Sequence, residues 1–372
     1  MYSALEVNCK ENSDLKSQQE EKMRKTFVKG ILTLVMVLLV VFSVSAQSVS
    51  EAKDAATTQI FVDDLGREVE LPIDIQRIAP SGSNAQVIVY QICPEKLCGL
   101  CSTLSAKEKE IYLASLADLP AFGTLYGKKK NLNKETVIMA NPDVFIDVGD
   151  IKGSVESMAA ELDQVQEDIG VPVIFFEANI YNYDTVFEKL GALLGYAERG
   201  KQLAAYAKQA REFALENPRD GKTVYFTSSA DGLEAYLAEK SHSEAISVAG
   251  GKNVVTSKIA QSNGTVSLET LYTLNPEIIL CSEDGYKTIT TSSEWANLDA
   301  VKNGQVYKVP NLPHGFVTGP PCSNRIIGLY WLTYIMYPER NVDIVAKTIE
   351  FYSLFYHCEL TEAQAKEILY LN

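Results

Sequence analysis

NKETVIMANPDVFI at 133–146 returns at 267–280 as SLETLYTLNPEIIL. Each copy opens on a residue whose side chain can accept from the first helical amides, Asn133 or Ser267. A carboxylate follows two positions on, Glu135 or Glu269, and then a short apolar helical stretch. Asn-Pro ends that helix and forces the chain into an extended entry. The apolar runs at 143–148 and 277–281 read as strands buried on both faces. A short helix handing over to a buried strand is one unit of a mainly parallel sheet. Two copies this far apart indicate two lobes built alike, not a solenoid.

The hydrophobic period extends the pattern outward in both directions. In the first half it predicts a hairpin over 59–69, turning at Asp64-Leu65-Gly66. Strands follow at 75–79, 96–100, 143–148 and 172–176, with helices at 85–92, 136–140 and 155–169. In the second half it predicts strands at 223–227, 277–281 and 305–309, and helices at 243–249, 268–274 and around 295–298. Between the halves lies a long helical pattern with one break near Gly195, ended by Asn217-Pro218. The fold class is therefore α/β: two lobes with mainly parallel sheets joined by a long bridging helix, with a ligand cleft between them. The expected boundaries are 59–183 for the N-terminal lobe, 184–217 for the bridge, 218–322 for the C-terminal lobe and 323–372 for the C-terminal helices.

Lys22, Arg24, Lys25 and Lys29 precede an uncharged apolar run over 30–44, and Val44-Ser45-Ala46 closes it. This is the pattern of a secretory signal peptide over 1–46, with Met23 as an alternative start. The uncharged run is shorter than the ~20 residues that span a bilayer comfortably. Residues 47–58 read as a flexible leader. The expected location is exported, in a periplasm or on the outer face of the cytoplasmic membrane. The 372-residue chain carries a formal net charge of −14, which repels phosphate backbones and argues against nucleic-acid binding. Three histidines are too few and too scattered for a multi-histidine metal site, so no metal centre is expected. Cys98-Gly-Leu-Cys101 has the spacing of a redox or metal motif. It stands without a second pair or a nearby histidine, so core packing is the favoured reading; an exported redox or chelate-modifying enzyme is the alternative.

In open α/β sheets, ligands bind outside the carboxyl ends of the strands. The candidates there are Ser81, Gly82, Ser83 and Asn84, then Tyr126 and Gly149 from the first half. From the second half come Ser229, Asp231, Tyr286, His314 and Phe316. They are hydroxyls, amides, glycines and rings, without the paired carboxylates or Ser/His/Asp set that turnover requires. No nucleophile elbow, phosphate loop or dinucleotide signature occurs. The expectation is recognition of a sizeable polar ligand, not an enzyme.

From about 60 to 371 the chain resembles the extracytoplasmic substrate-binding proteins of ABC importers, in the class that carries iron–siderophore, haem or cobalamin. The residues that carry the likeness are FVDDLGREVELP at 61–72, RIAPSGSNAQ at 77–86, EKLCGL at 95–100 and NLNKETVIMANPDVFID at 131–147. GVPVIFFEA at 170–178, AGGKNVV at 249–255, VSLETLYTLNPEIIL at 266–280 and PPCSNRIIGLYWLTYIMYPER at 320–340 continue it. The resemblance implies a monomer that delivers its ligand to ABC permease subunits. It implies that Glu135 and Glu269, one per lobe, dock on arginines of that permease; each also suits the helix dipole. A ferric siderophore or related metal chelate is the expected ligand, with cobalamin or haem as alternatives and no intrinsic cofactor. Arg325 and the lysines at 128–130 are candidates to meet an anionic chelate.

Overall fold

The structure is a computed structural model that describes residues 57–127, 130–219 and 221–371. The expected signal peptide, most of the leader, and Lys128 and Lys129 lie outside the described residues. The elements below all belong to one compact unit, Thr58–Asn372.

A hairpin opens the fold, β1 (Thr58–Val62) antiparallel to β2 (Glu68–Pro72), with Ile60 opposite Glu70. Asp63 Oδ1 ties its turn by accepting from the amides of Leu65 and Arg67, each at 3.0 Å. Then come β3 (Ile78–Pro80), α1 (Ser83–Ile92), α2 (Lys134–Met139), β4 (Val144–Gly149), α3 (Val155–Ile169) and β5 (Val173–Glu177). The strands are parallel in the order β3-β4-β5, and Leu97 bridges to Ile78 on the free side of β3. The predicted strand at 96–100 shrinks to that bridge. Lys96 lies in a one-turn helix, Pro94–Lys96, where its Nζ donates to the carbonyls of Ile75 (2.6 Å) and Leu194 (2.9 Å).

Two helices connect the halves, α4 (Tyr183–Leu193) and α5 (Ala197–Leu215). The single bridging helix expected over 184–217 is thus corrected to a helical hairpin. Gly195, at φ +82°, supplies the left-handed turn that a side chain resists. Gly191 and Gly200 let the two backbones touch: a Cβ on Gly200 would lie 2.5 Å from the Phe187 carbonyl oxygen. α5 is the longer of the two, its 19 residues reaching about 28 Å.

The second lobe holds β6 (Thr223–Phe226), α6 (Glu244–Val248), β7 (Lys252–Asn253), α7 (Leu268–Leu274), β8 (Ile278–Cys281), α8 (Glu283–Thr291), α9 (Asp299–Lys302) and β9 (Val306–Lys308). Its parallel order is β7-β6-β8-β9. Counting the Leu97 bridge, both lobes follow one plan. The first strand has the second on one side and the third and fourth on the other. In each, the Asn-Pro unit feeds the third strand. Asn133 and Ser267 cap α2 and α7 through Thr136 N (3.0 Å) and Thr270 N (3.2 Å). Asn141 and Asn275 end the helices with φ +46° and +38°, a conformation asparagine tolerates. The helix predicted around 295–298 is a turn, and α8 was not anticipated. Its sequence, EDGYKTITT, is rich in poor helix formers, and the Ser282 hydroxyl starts it by accepting from Gly285 N at 3.1 Å.

The chain closes with α10 (Arg325–Met336), α11 (Ile344–Tyr356) and α12 (Glu362–Ile368). These helices are not an appendage. Along each sheet the side chains alternate between an outer and an inner cluster, with period two. Phe145 and Phe175, or Tyr225 and Ile279, face outer clusters proper to each lobe. Ile146, Phe176, Val224 and Leu280 belong to one inner cluster shared with α4, α5, α10 and α11. Tyr90 of α1 donates to the carbonyl of Tyr356 at 2.8 Å, and Arg199 of α5 donates to Gln91 O at 3.0 Å.

Substituting Gly200→Ala should force α4 and α5 apart and cost ~1–3 kcal/mol of unfolding free energy in urea titrations. An unchanged urea midpoint would show that the two helices do not touch at Gly200.

Candidate functional site

The strand order reverses between β3 and β4 in the first lobe and between β6 and β8 in the second. Crevices open at such points, outside the carboxyl ends of the strands. In the first lobe the crevice is framed by the Ser81–Asn84 segment and by Gly149 onward. Ser81 is buried: its hydroxyl donates to Asp147 Oδ1, its amide to Ile146 O at 2.9 Å, and its carbonyl accepts from Leu125 N at 2.8 Å. Ser81 therefore builds the floor. Gly82 caps α1 without a side chain, which leaves the first amides of the helix to other partners. Ser83 Oγ lies 3.5 Å from Cys101 Sγ. Gly149 takes φ +154°, and a Cβ there would lie 3.5 Å from Asn84 Nδ2. Tyr126 stands over this wall with Lys152 Nζ 3.8 Å from its ring centroid.

Asp147 is the residue the site reading missed. It is 2% exposed, and its Oδ2, like Asn84 Oδ1, is buried without a hydrogen-bond partner. Burial raises its carboxyl above the usual range, opposed by the charge of Lys152 and the Ser81 hydroxyl. An acid interrupting the apolar strand VFIDVG was the available signal. Buried unpaired oxygens are uncommon in native folds and mark places where water or a ligand completes the bonding.

In the second lobe, Ser229 and Asp231 secure the loop after β6. Ser229 Oγ donates to Asp231 Oδ1 at 2.6 Å and accepts from Glu234 N, while Leu233 N donates to the same carboxylate at 2.9 Å. These bonds, the Ser229 hydroxyl first, hold the Asp231 carboxyl below its ordinary value. Gly285 closes against this loop: a Cβ there would meet Ser229 O at 2.8 Å. The arrangement is two crevices of hydroxyl and amide groups on lobes of equal plan. Among the described residues, no three His, Cys, Asp or Glu side chains converge to hold a metal ion.

The sequence profile of the periplasmic binding protein family matches residues 113–312. The chain belongs to this family. It is 27% identical over 194 residues to the Fe(3+)-citrate-binding protein YfmC of Bacillus subtilis, covering 50% of this chain and 58% of that one. It is 22% identical over 227 residues to the high-affinity heme uptake system protein IsdE of Staphylococcus aureus, covering 56% and 73%. The chain thus spans less than two thirds of the length of the iron-citrate relative. Among solved structures, an ABC transporter solute binding protein from Sulfurospirillum deleyianum superposes with TM-score 0.76 at 29% identity, covering 84% of this chain and 99% of that one.

Within this binding protein, several expected site residues are reassigned. Phe316 is fully buried in the inner cluster, so it cannot touch a ligand. Arg325 is equally buried: it donates to Tyr183 Oη (2.8 Å), Glu244 Oε2 (2.9 Å) and the Ser241 carbonyl (2.9 Å). It joins helices and does not await an anion. Tyr286 lies within α8 and packs half-buried on the outer cluster of its lobe. His314 bonds Tyr112 Oη through Nε2 at 2.7 Å, and its carbonyl accepts from Asn324 Nδ2 at 2.9 Å. Its Nε2 is therefore engaged by the N-terminal lobe and is not offered to a chelate. His242, not among the candidates, stacks on Tyr236 with centroids 5.0 Å apart and bonds Thr318 Oγ1 through Nδ1 at 2.6 Å.

The cysteines fit core packing. Cys98 and Cys101 are buried, and burial pushes the Cys98 thiol up to about 11 and raises that of Cys101. A redox enzyme needs accessible thiols of lowered pKa, and these are the opposite.

Burial lowers His314 from 6.5 to about 4. The unfolded chain then binds the proton first, so its neutral form stabilises the fold above pH 6.5 and that contribution fades as pH falls towards 4. The loss amounts to at most ~3 kcal/mol. Urea unfolding of His314→Gln between pH 7 and pH 4 should show a flatter pH dependence than the wild type; parallel curves would remove His314 from the acid response. Native-protein thiol labelling should spare Cys98 and Cys101, and their rapid modification would restore the redox reading.

Proposed function

We propose that the protein is an exported receptor of an ABC importer, capturing a ferric siderophore or related metal chelate and handing it to membrane permease subunits. The observation that carries this is the pair of equal-plan lobes. Ser83, Asn84, Gly149 and Ser229, near the carboxyl ends of the strands, are the residues this reading gives to the ligand, and α4 and α5 connect the lobes. Such a site offers hydrogen bonds to a polar ligand, and the carboxyl groups beside it, Asp147 and Asp231, are engaged by Ser81 and Ser229. Family membership and the likeness to an iron-citrate-binding protein support the chelate class. The unsatisfied Asn84 Oδ1 and the uncapped start of α1 supply one acceptor and a set of amide donors, which suits a ligand with both hydroxyl and anionic groups. The protein acts without an intrinsic cofactor, as a monomer, and the iron travels as cargo. The heme uptake relative favours haem as the second cargo to test.

Docking follows from the repeat. Glu135 and Glu269 occupy the second position of α2 and α7, are exposed, and form no ion pair among the described residues. Basic side chains on two permease subunits are their partners. Intrinsic fluorescence titrated with ferric citrate, a panel of ferric siderophores, haemin and cobalamins tests the cargo. Saturable quenching by one ferric chelate at micromolar or lower concentration is expected. Asn84→Ala should weaken that binding about tenfold, equivalent to ~1.4 kcal/mol. Silence across the panel refutes the chelate assignment, and saturation by cobalamin alone replaces it.

A further inference from the structure

The two docking helices share one plan but present different chemistry. Beside Glu135, on the positions three and four residues later, stand Ile138 at 46% exposure and Met139 at 78%. Beside Glu269, the same positions hold Tyr272 at 38% and the exposed Thr273. Side chains at these spacings share a helix face with the carboxylate. The single turn-and-a-half of α2 buries Val137 completely and turns Ile138 and Met139 to solvent, against the ordinary sorting of an amphipathic helix. Among the described residues, no hydrophobic cluster takes up either side chain. Tyr272, by contrast, is tied down, its hydroxyl donating to the carbonyl of Glu294.

We infer that the N-terminal lobe docks through a mixed acidic and apolar foot, Glu135 with Ile138 and Met139, whose occupant is a permease surface carrying a basic side chain beside an apolar pocket. The inference rests on the docking reading given above and adds to it the apolar half of the contact. Charge complementarity selects a basic partner for a protein of net charge −14. The flexible, polarizable methionine adapts to a pocket, and methionine is enriched at protein interfaces. The C-terminal foot, with Glu269, Tyr272 and Thr273, is the more polar of the two. The two feet therefore contribute unequally: the first carries salt-insensitive affinity, the second an electrostatic contact that salt screens.

The test is binding of the full-length mature protein to its cognate importer in lipid nanodiscs, measured by surface plasmon resonance at low and high salt. Ile138→Ser with Met139→Ser should weaken binding about tenfold at both salt concentrations, as loss of a buried apolar anchor does. Glu135→Gln with Glu269→Gln should weaken it chiefly at low salt. Ile60→Ser with Val62→Ser, exposed on the hairpin instead, should change nothing. All three variants should keep the wild-type melting temperature, since the altered side chains are exposed. If the glutamine pair weakens binding and the Ile138/Met139 pair does not, the apolar foot is overturned and the carboxylate docking stands. If neither pair affects binding, or the wild type fails to bind, the docking reading falls and the inference with it.

Discussion

A guanidinium with no exposure to solvent has to be met by acceptors on every side, because a buried charge left unpaired costs several kcal/mol. Arg325 meets that demand by drawing three elements together: Tyr183 at the start of α4, and Glu244 and the Ser241 carbonyl at the start of α6. Tyr183 belongs to the first half of the chain, Glu244 to the second, and Arg325 to the C-terminal helices. The inner cluster surrounds this point. The position of the cleft depends on the same point, for the loops that frame it spring from sheets whose inner faces are fixed against α4, α5, α10 and α11. Such lobes share one core, and wide hinge motion would break it.

The elements legible in the sequence were those set by short-range chemistry. The capped helix, the Asn-Pro stop and the buried strand appear twice where the residues place them, and the alternation of short strands with helices identified the sheet class. What escaped depended on contacts distant in sequence. Gly195 was visible as a break, but that the chain reverses there rests on Gly191 and Gly200 fitting backbone to backbone. The segment at 96–100 reads as a strand, yet Lys96 is drawn aside by two carbonyls from elsewhere in the fold. Helix α8 has weak local propensity and forms because Ser282 caps it and Ile289 is buried.

For the site, the loops were legible and the individual side chains less so. Position at a strand's carboxyl end picks out Ser81–Asn84, Gly149 and Ser229 as candidates. It says nothing about which way a side chain turns. Phe316 and Arg325 turn inward, and His314 spends its ring nitrogen on Tyr112. Asp147 went the other way, a single acid inside a strand whose other residues are apolar. A hollow of about 710 Å³ near Lys222, Glu277 and Gln305 lies at the amino ends of the strands, where parallel sheets do not bind their ligands.

The hydrogen bond from Tyr90 to the carbonyl of Tyr356 joins residues 266 positions apart. Its partner helix α11 follows the whole second lobe in sequence, so the core of the first lobe lacks one wall until that helix has been made. Such wiring delays compaction, since distant contacts must wait for the long loops between them to close. The first lobe's stability is thus tied to a helix that the chain supplies only after the second lobe, and the two lobes gain or lose their packing together.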